Sequence, residues 1–406
     1  MLLQFKLNYV LLNLRRLSSM RTIFHRLLTS PWMNLLLLLL LLATLSVSLQ
    51  TQQDIRTRAS FSRDDFANWL RKLQQITSIP KPLKSTPSPK PLSRVGSQKG
   101  SLPCGNFCPT PPKDFEVLIY YPADNNNQPD RSVAPYPLVV FLHGFGANGE
   151  YYTWLGEDLA AKGYVVVLPS RLQMFSYDFN GGVYLINGSI DYMLKRNTTN
   201  GDIFYQIINP NSVGVGGHSL GADTSLLIAS QSNAGTQIKA LIAFSPAYFE
   251  FDKMSVTEVE SSRPKLKQLG IVDDLKKAKE IFERIMASVK GSKIPLMYQV
   301  GSRDGMSPPE MVEQLFNPSV PPKAFVEIEG GNHVQFIEAS IEIINKIAGL
   351  FDDRPTITRS KQQEIADKYF SAWFNYYLKS DQSALAILQN GSQDVPSTLT
   401  KYVFTP

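Results

Sequence analysis

The chain has 406 residues, 43% of them hydrophobic and 19% charged, with a net charge of +6. This composition excludes a fibrous or wholly disordered protein and leaves enough apolar side chains for a sizeable core. The positive excess gathers before Ser93, where Asp54 is the first acidic residue, so it gives no reason to expect a nucleic-acid partner.

Residues 1–50 read as a signal peptide or signal anchor. Leu35 to Leu49 are almost entirely apolar and follow Lys6, Arg15, Arg16, Arg21 and Arg26, the charge order of a secretory leader. A run of about 15 residues is short for a span of roughly 20, and Ser46 and Ser48 suit cleavage. The long basic stretch before it suits an uncleaved anchor with its basic end in the cytosol, the one route by which the sequence connects the protein to a membrane. An organelle transit sequence fits less well, because the leucine block is not amphipathic. The chain is thus expected in the secretory pathway, secreted or anchored.

Residues 51–114 read as a linker. Ser62 to Ile76 suits a short helix, and Pro80, Pro82, Pro87, Pro89 and Pro91 then alternate with Lys and Ser in an extended, solvated stretch. Cys104 and Cys108, the only cysteines, are spaced for a small disulfide loop and lack the further ligands of a metal site. Asn187, Asn197 and Asn390 each open a glycosylation sequon.

From Phe115 to Pro406, short β-rich runs alternate with helical segments, the signature of an α/β domain with a mostly parallel sheet covered on both faces. The strands expected are Glu116 to Tyr121, Leu138 to Leu142, Tyr164 to Pro169, Ser212 to Gly216, Lys239 to Ser245, Pro295 to Val300 and Ala324 to Glu327. Helices are expected at Tyr151 to Ala161, Gly221 to Ser230 and Leu275 to Val289, with an amphipathic one from Gln362 to Leu378. Glu250 to Asp274 is polar and long, a surface excursion or part of a lid. Tyr151, Tyr152, Trp154, Phe175 and Tyr177 follow strands and either line a pocket or pack in the core.

The chemistry concentrates at Gly217-His218-Ser219-Leu220-Gly221, between an apolar strand and a helical pattern. That context is the one a Gly-x-Ser-x-Gly nucleophile elbow requires. A serine hydroxyl needs a neighbouring base to take its proton. Of the four histidines, His25 lies in the leader, His143 ends a strand beside glycines and His218 is inside the elbow, which leaves His333 after the last expected strand. The orienting acid belongs after a strand between the two, and Asp304 in Gly301-Ser302-Arg303-Asp304-Gly305 stands there. Asp273 and Asp274 compete for the role but suit a helix start better. The backbone N–H groups of Phe145 and Leu220 are the candidate oxyanion donors.

Together with His143-Gly144-Phe145-Gly146 and Gly331-Asn332-His333-Val334-Gln335-Phe336, these motifs resemble the α/β-hydrolase superfamily. Within it they resemble the dienelactone-hydrolase-related branch that holds chlorophyllases, polyester hydrolases and platelet-activating-factor acetylhydrolase-like enzymes. The resemblance runs from about Phe115 to Leu388 and implies the α/β-hydrolase fold. It further implies ester or lactone hydrolysis of a small-molecule or lipid substrate, without metal or organic cofactor. Ser219 departs from the cysteine of dienelactone hydrolases, and Leu220 from the basic residue of chlorophyllases. Two other functions stay open on the sequence: a hydrolase-fold binding protein without catalysis, and a peptidase or acyltransferase using the same residues.

Overall fold

Alternation of side chains along each strand determines how this chain is layered. In β3 (Tyr136–Leu142), Leu138, Val140 and Leu142 face one layer of helices while Val139 and Phe141 face the other. Every residue of that strand is buried, which marks a central strand covered on both sides. The computed structural model describes residues 94–108, 113–144, 147–170, 179–230, 238–246, 271–338 and 352–406, with the backbone alone at 271–279.

Nine strands form one sheet in the order β1-β2-β4-β3-β5-β6-β7-β8-β9. Besides β3, these are β1 (Arg94–Leu102), β2 (Phe115–Ala123), β4 (Val165–Ser170), β5 (Ile208–His218), β6 (Ile238–Phe244), β7 (Leu296–Gly301), β8 (Lys323–Ile328) and β9 (Leu399–Thr405). Pairings from β4 through β8 are parallel, while β1, β2 and β9 run antiparallel to their neighbours. This mostly parallel sheet with helices on both faces is the α/β-hydrolase fold.

The helices are α1 (Thr153–Ala161), α2 (Phe179–Thr198), α3 (Leu220–Leu227), α4 (Ile271–Lys290), α5 (Pro309–Phe316), α6 (Arg359–Lys379) and α7 (Gln382–Asn390). Helices α1 and α6 share an apolar layer with Phe141, Leu168, Phe244 and Met297. On the opposite face α2 packs over β2 to β5, and α3, α4 and α5 pack over Leu241, Tyr298 and Phe325. Thr358 caps α6 by accepting the Lys361 N–H at 3.2 Å, and Asp381 caps α7 by accepting from Ser383 at 2.9 Å.

The sheet begins at Arg94, inside the stretch expected to be linker. Strand β1 contains few apolar residues, Val95 and Leu102 among them, and is held by backbone pairing to β2 along its whole length. An edge strand of this kind needs no hydrophobic run, so periodicity alone misses it. Strand β9 occupies the other edge and lies beyond Leu388, where the family resemblance ends.

Cys104 and Cys108 are joined in a disulfide. Asn187 is half-buried and Asn390 exposed. Asn197 is buried, its amide nitrogen donates to the Ile208 carbonyl at 2.9 Å, and its oxygen accepts the Ile208 N–H at 2.8 Å. Its side chain thereby closes the turn between α2 and β5.

No helix among the described residues is long and apolar enough to cross a membrane. The leader, the helix expected at Ser62 to Ile76 and the proline-rich stretch fall outside the described residues. So do Phe175, Tyr177 and most of the excursion from Glu250.

Trp373 of α6 is fully buried in the layer against the sheet and meets Phe404 of β9 edge-on at 6.3 Å. Trp373→Ala is expected to lower stability by about 3–5 kcal/mol, read as a lower denaturant midpoint at unchanged slope.

Candidate active site

Because β5, β6, β7 and β8 are parallel neighbours, the turns that leave β5, β7 and β8 all emerge at one end of the sheet. Ser219 stands in the first of these turns, Asp304 in the second and His333 in the third. All three are buried to within a few per cent of full enclosure.

Ser219 has φ 56° and ψ −125°, a conformation that costs a residue with a Cβ of order 1–3 kcal/mol. The strain persists because β5, α3 and the end of β3 meet too closely to relax. A Cβ on Gly217 would sit 2.3 Å from the Gly221 carbonyl, and one on Gly221 would sit 2.2 Å from the Leu142 oxygen. The Ser219 N–H donates to Phe244 O at 2.9 Å, tying the turn to β6. Leu220 opens α3, where the first amides of a helix have no intrahelical partner. Phe145, the other candidate donor, lies outside the described residues.

His333 Nδ1 stands 3.0 Å from Oδ2 and 3.1 Å from Oδ1 of Asp304. A carboxylate accepts there, so Nδ1 carries the proton and Nε2 is left as the basic nitrogen. Asp304 Oδ1 also accepts the N–H groups of Met306 at 3.0 Å and Ser307 at 2.6 Å, which fixes the carboxylate in place. Burial alone would push the imidazole pKa down. The charge and hydrogen bond of Asp304, followed by the charges of Asp352 and Asp223, outweigh it and hold the pKa above the ordinary 6.5.

The elbow meets the histidine loop through its own histidine. The His218 ring lies 4.6 Å from the His333 ring, centre to centre, and 5.7 Å from Phe336. Burial pushes the His218 pKa well below its ordinary value, with the His333 charge acting in the same direction, so His218 stays neutral. His143 is likewise fully buried, its pKa lowered to about 4 by burial, with Nδ1 2.8 Å from Gly144 O. Neither is suited to carry a proton near neutral pH.

Two bracing side chains escaped the sequence reading. Tyr152, read there as pocket lining or core, is fully buried, and its hydroxyl accepts the Gly144 N–H at 3.2 Å while lying 2.8 Å from His218 Nδ1. One oxygen thereby spans the glycine loop and the elbow. Gln362 of α6 does the same for the histidine loop. Its oxygen accepts from Asn332 N and its nitrogen donates to Asn332 O, each at 2.8 Å. The helical spacing that placed Gln362 on α6 carried no sign of this pairing, because the partner is a backbone 30 residues away.

Among the described residues whose side chains are placed, no group of His, Cys, Asp and Glu is arranged to hold a metal. Asp273 and Asp274, the rivals for the acid, fall in the first turn of α4.

Residues 115–260 match the family described as PETase: PET hydrolase-like. Cutinase 1 of Thermobifida cellulosilytica is 27% identical over 139 residues, which is 34% of this chain and 47% of that protein. Cutinase of Thermobifida fusca (strain YX) is 27% identical over 139 residues, covering 34% of this chain and 41% of that protein. Cutinase est2 of Thermobifida alba is 29% identical over 129 residues, covering 32% and 38%. The chain thus spans less than half the length of the curated relatives it matches.

Tyr152→Phe leaves the Gly144 N–H and His218 Nδ1 buried without their partner. It is expected to destabilise the protein by about 1–3 kcal/mol, measured by denaturant unfolding.

Proposed function

We propose, from its sheet and its PET hydrolase-like segment, that the chain is a serine hydrolase of carboxylic esters within the α/β-hydrolase superfamily. The observation that carries this reading is the Asp304–His333 pair presented at the same end of the sheet as a strained Ser219. The substrates we assign are small-molecule or polyester carboxylic esters, hydrolysed without a cofactor.

In the proposed mechanism Ser219 Oγ attacks the ester carbonyl while His333 Nε2 takes its proton. Asp304 keeps the imidazole in the required tautomer and stabilises the imidazolium. The oxyanion forms against the Leu220 and Phe145 N–H groups, each worth about 3–4 kcal/mol where such a donor has been removed. The tetrahedral intermediate then collapses, His333 gives its proton to the leaving alkoxide, and the alcohol departs. A water molecule, deprotonated by the same His333, attacks the acyl-enzyme, and as the second tetrahedral intermediate collapses His333 returns the proton to Ser219 Oγ, releasing the acid and the free enzyme. The leader composition supports action in the secretory pathway.

Ser219→Ala is expected to abolish both ester turnover and labelling by a fluorophosphonate while leaving the unfolding transition intact. A p-nitrophenyl ester panel and mass mapping of the adduct are the readouts; retained turnover in this variant would refute the assignment.

The pH profile follows from the sign of the His333 shift. Protonated His333 cannot accept the serine proton, so kcat/KM falls as pH drops through a pKa held above 6.5. Assays of kcat/KM across pH should show an acid limb centred above that value; a flat profile from about pH 4 to 8 would remove histidine from the role of base.

A further inference from the structure

The segment from Asp352 to Ile357 lies across both loops that present the Asp304–His333 pair. Asp352 Oδ1 accepts the Gly305 N–H at 3.0 Å, next to Asp304, and Oδ2 accepts the Val334 N–H at 3.1 Å, next to His333. Arg303 Nε donates to Arg354 O at 2.5 Å, and Asn332 Nδ2 donates to Asp353 O at 2.9 Å. Thr356 N donates to Gly330 O at 2.8 Å, and Gln335 Nε2 to Ile357 O at 2.9 Å. With a further bond from Ile357 N to Gly330 O at 3.4 Å, seven hydrogen bonds join one short strap to the loops that carry Asp304 and His333. Within the strap, the Asp352 carboxylate alone grips one loop with each oxygen.

We propose that Asp352 is a positioning residue of this active site: its carboxylate fixes the separation of the Asp304 and His333 loops and adds a second negative charge behind the imidazole. The inference rests on the proposed hydrolase mechanism, in which His333 is the base.

The charged and titratable groups that face His333 are Asp304, Asp352, Asp223 and His218, and those that face Asp352 are Asp304 and His333. Burial, and then the charge of Asp304, push the Asp352 carboxyl up to about 6, against which His333 and the two N–H groups act. Above that pH the ionised carboxylate accepts both hydrogen bonds and supports the imidazolium. Below it, the carboxyl takes up a proton and one grip weakens, in the same range where His333 is already charged. Deletion of the charge therefore makes His333 a weaker base, not simply a displaced one.

The test is Asp352→Asn, close in shape and uncharged, beside Asp352→Glu, which keeps the charge, both in the full chain. The His333 imidazole is titrated by NMR and the kcat/KM profile is recorded with a p-nitrophenyl ester. Asp352→Asn is expected to move the His333 midpoint and the acid limb down by roughly half a pH unit or more, and to lower plateau kcat about tenfold with KM nearly unchanged. Asp352→Glu should keep the midpoint near that of the wild type. A purely structural residue would lower activity at every pH without moving the midpoint, so an unmoved midpoint in folded Asp352→Asn overturns the proposal. Should that variant fail to fold, the wild-type His333 titration decides: two inflections, one from Asp352, support the coupling, and a single-proton curve overturns it. A moved midpoint without ester turnover in the wild type would sink the hydrolase reading alone; turnover with an unmoved midpoint would sink only the role of Asp352.

Discussion

Ser219 is held at φ 56° because the elbow is crowded: Gly217 of β5 abuts Gly221 of α3, and Gly221 abuts the Leu142 carbonyl of β3, so neither glycine has room for a side chain. That crowding is the constraint on which the rest of the site depends. It lifts one hydroxyl out of the sheet plane, aims the first amides of α3 at the same region, and presses His218 against the histidine loop. The backbone strain is carried by bonds to β6 and by the glycine loop braced through Tyr152. Stability is therefore spent locally and recovered in the surrounding apolar layers, a pattern found where function requires an unrelaxed conformation.

Around that fixed point, charge is managed by enclosure. Asp304 and His333 are both buried, and each satisfies the other while backbone amides hold the carboxylate. A lone buried ion would cost several kcal/mol, so the pair is stable only as a unit. The neutral histidines show the contrast: for His143 and His218 burial is the largest influence, and it pushes each pKa down. The three described histidines thus separate by surroundings, and among them only His333 has its pKa raised.

How far this was legible in the sequence follows from what periodicity can register. The seven strands expected lie in β2 to β8, because buried parallel strands read as continuous β-branched and aromatic runs such as Leu138-Val-Val-Phe-Leu. Strand β1 was hidden by its Ser, Gly, Lys and Gln, since backbone pairing leaves no mark on composition. The elbow was visible because its glycines are required by backbone approach, and His333 and Asp304 because chain order leaves few candidates. Tyr152, Gln362 and Asp352 were not, because each acts on a backbone group brought close only by the fold. Local patterns report what a segment must bury; they do not report which distant amide a polar side chain will meet.

Asn197 gives the same principle a temporal form. Its side-chain amide lies in a glycosylation sequon, yet in the folded chain both polar atoms are engaged by Ile208. A transferase could reach that nitrogen only on a chain whose α2–β5 turn had not yet closed. Modification at this residue would therefore have to precede the closing of the turn, an order that the exposed Asn390 does not impose.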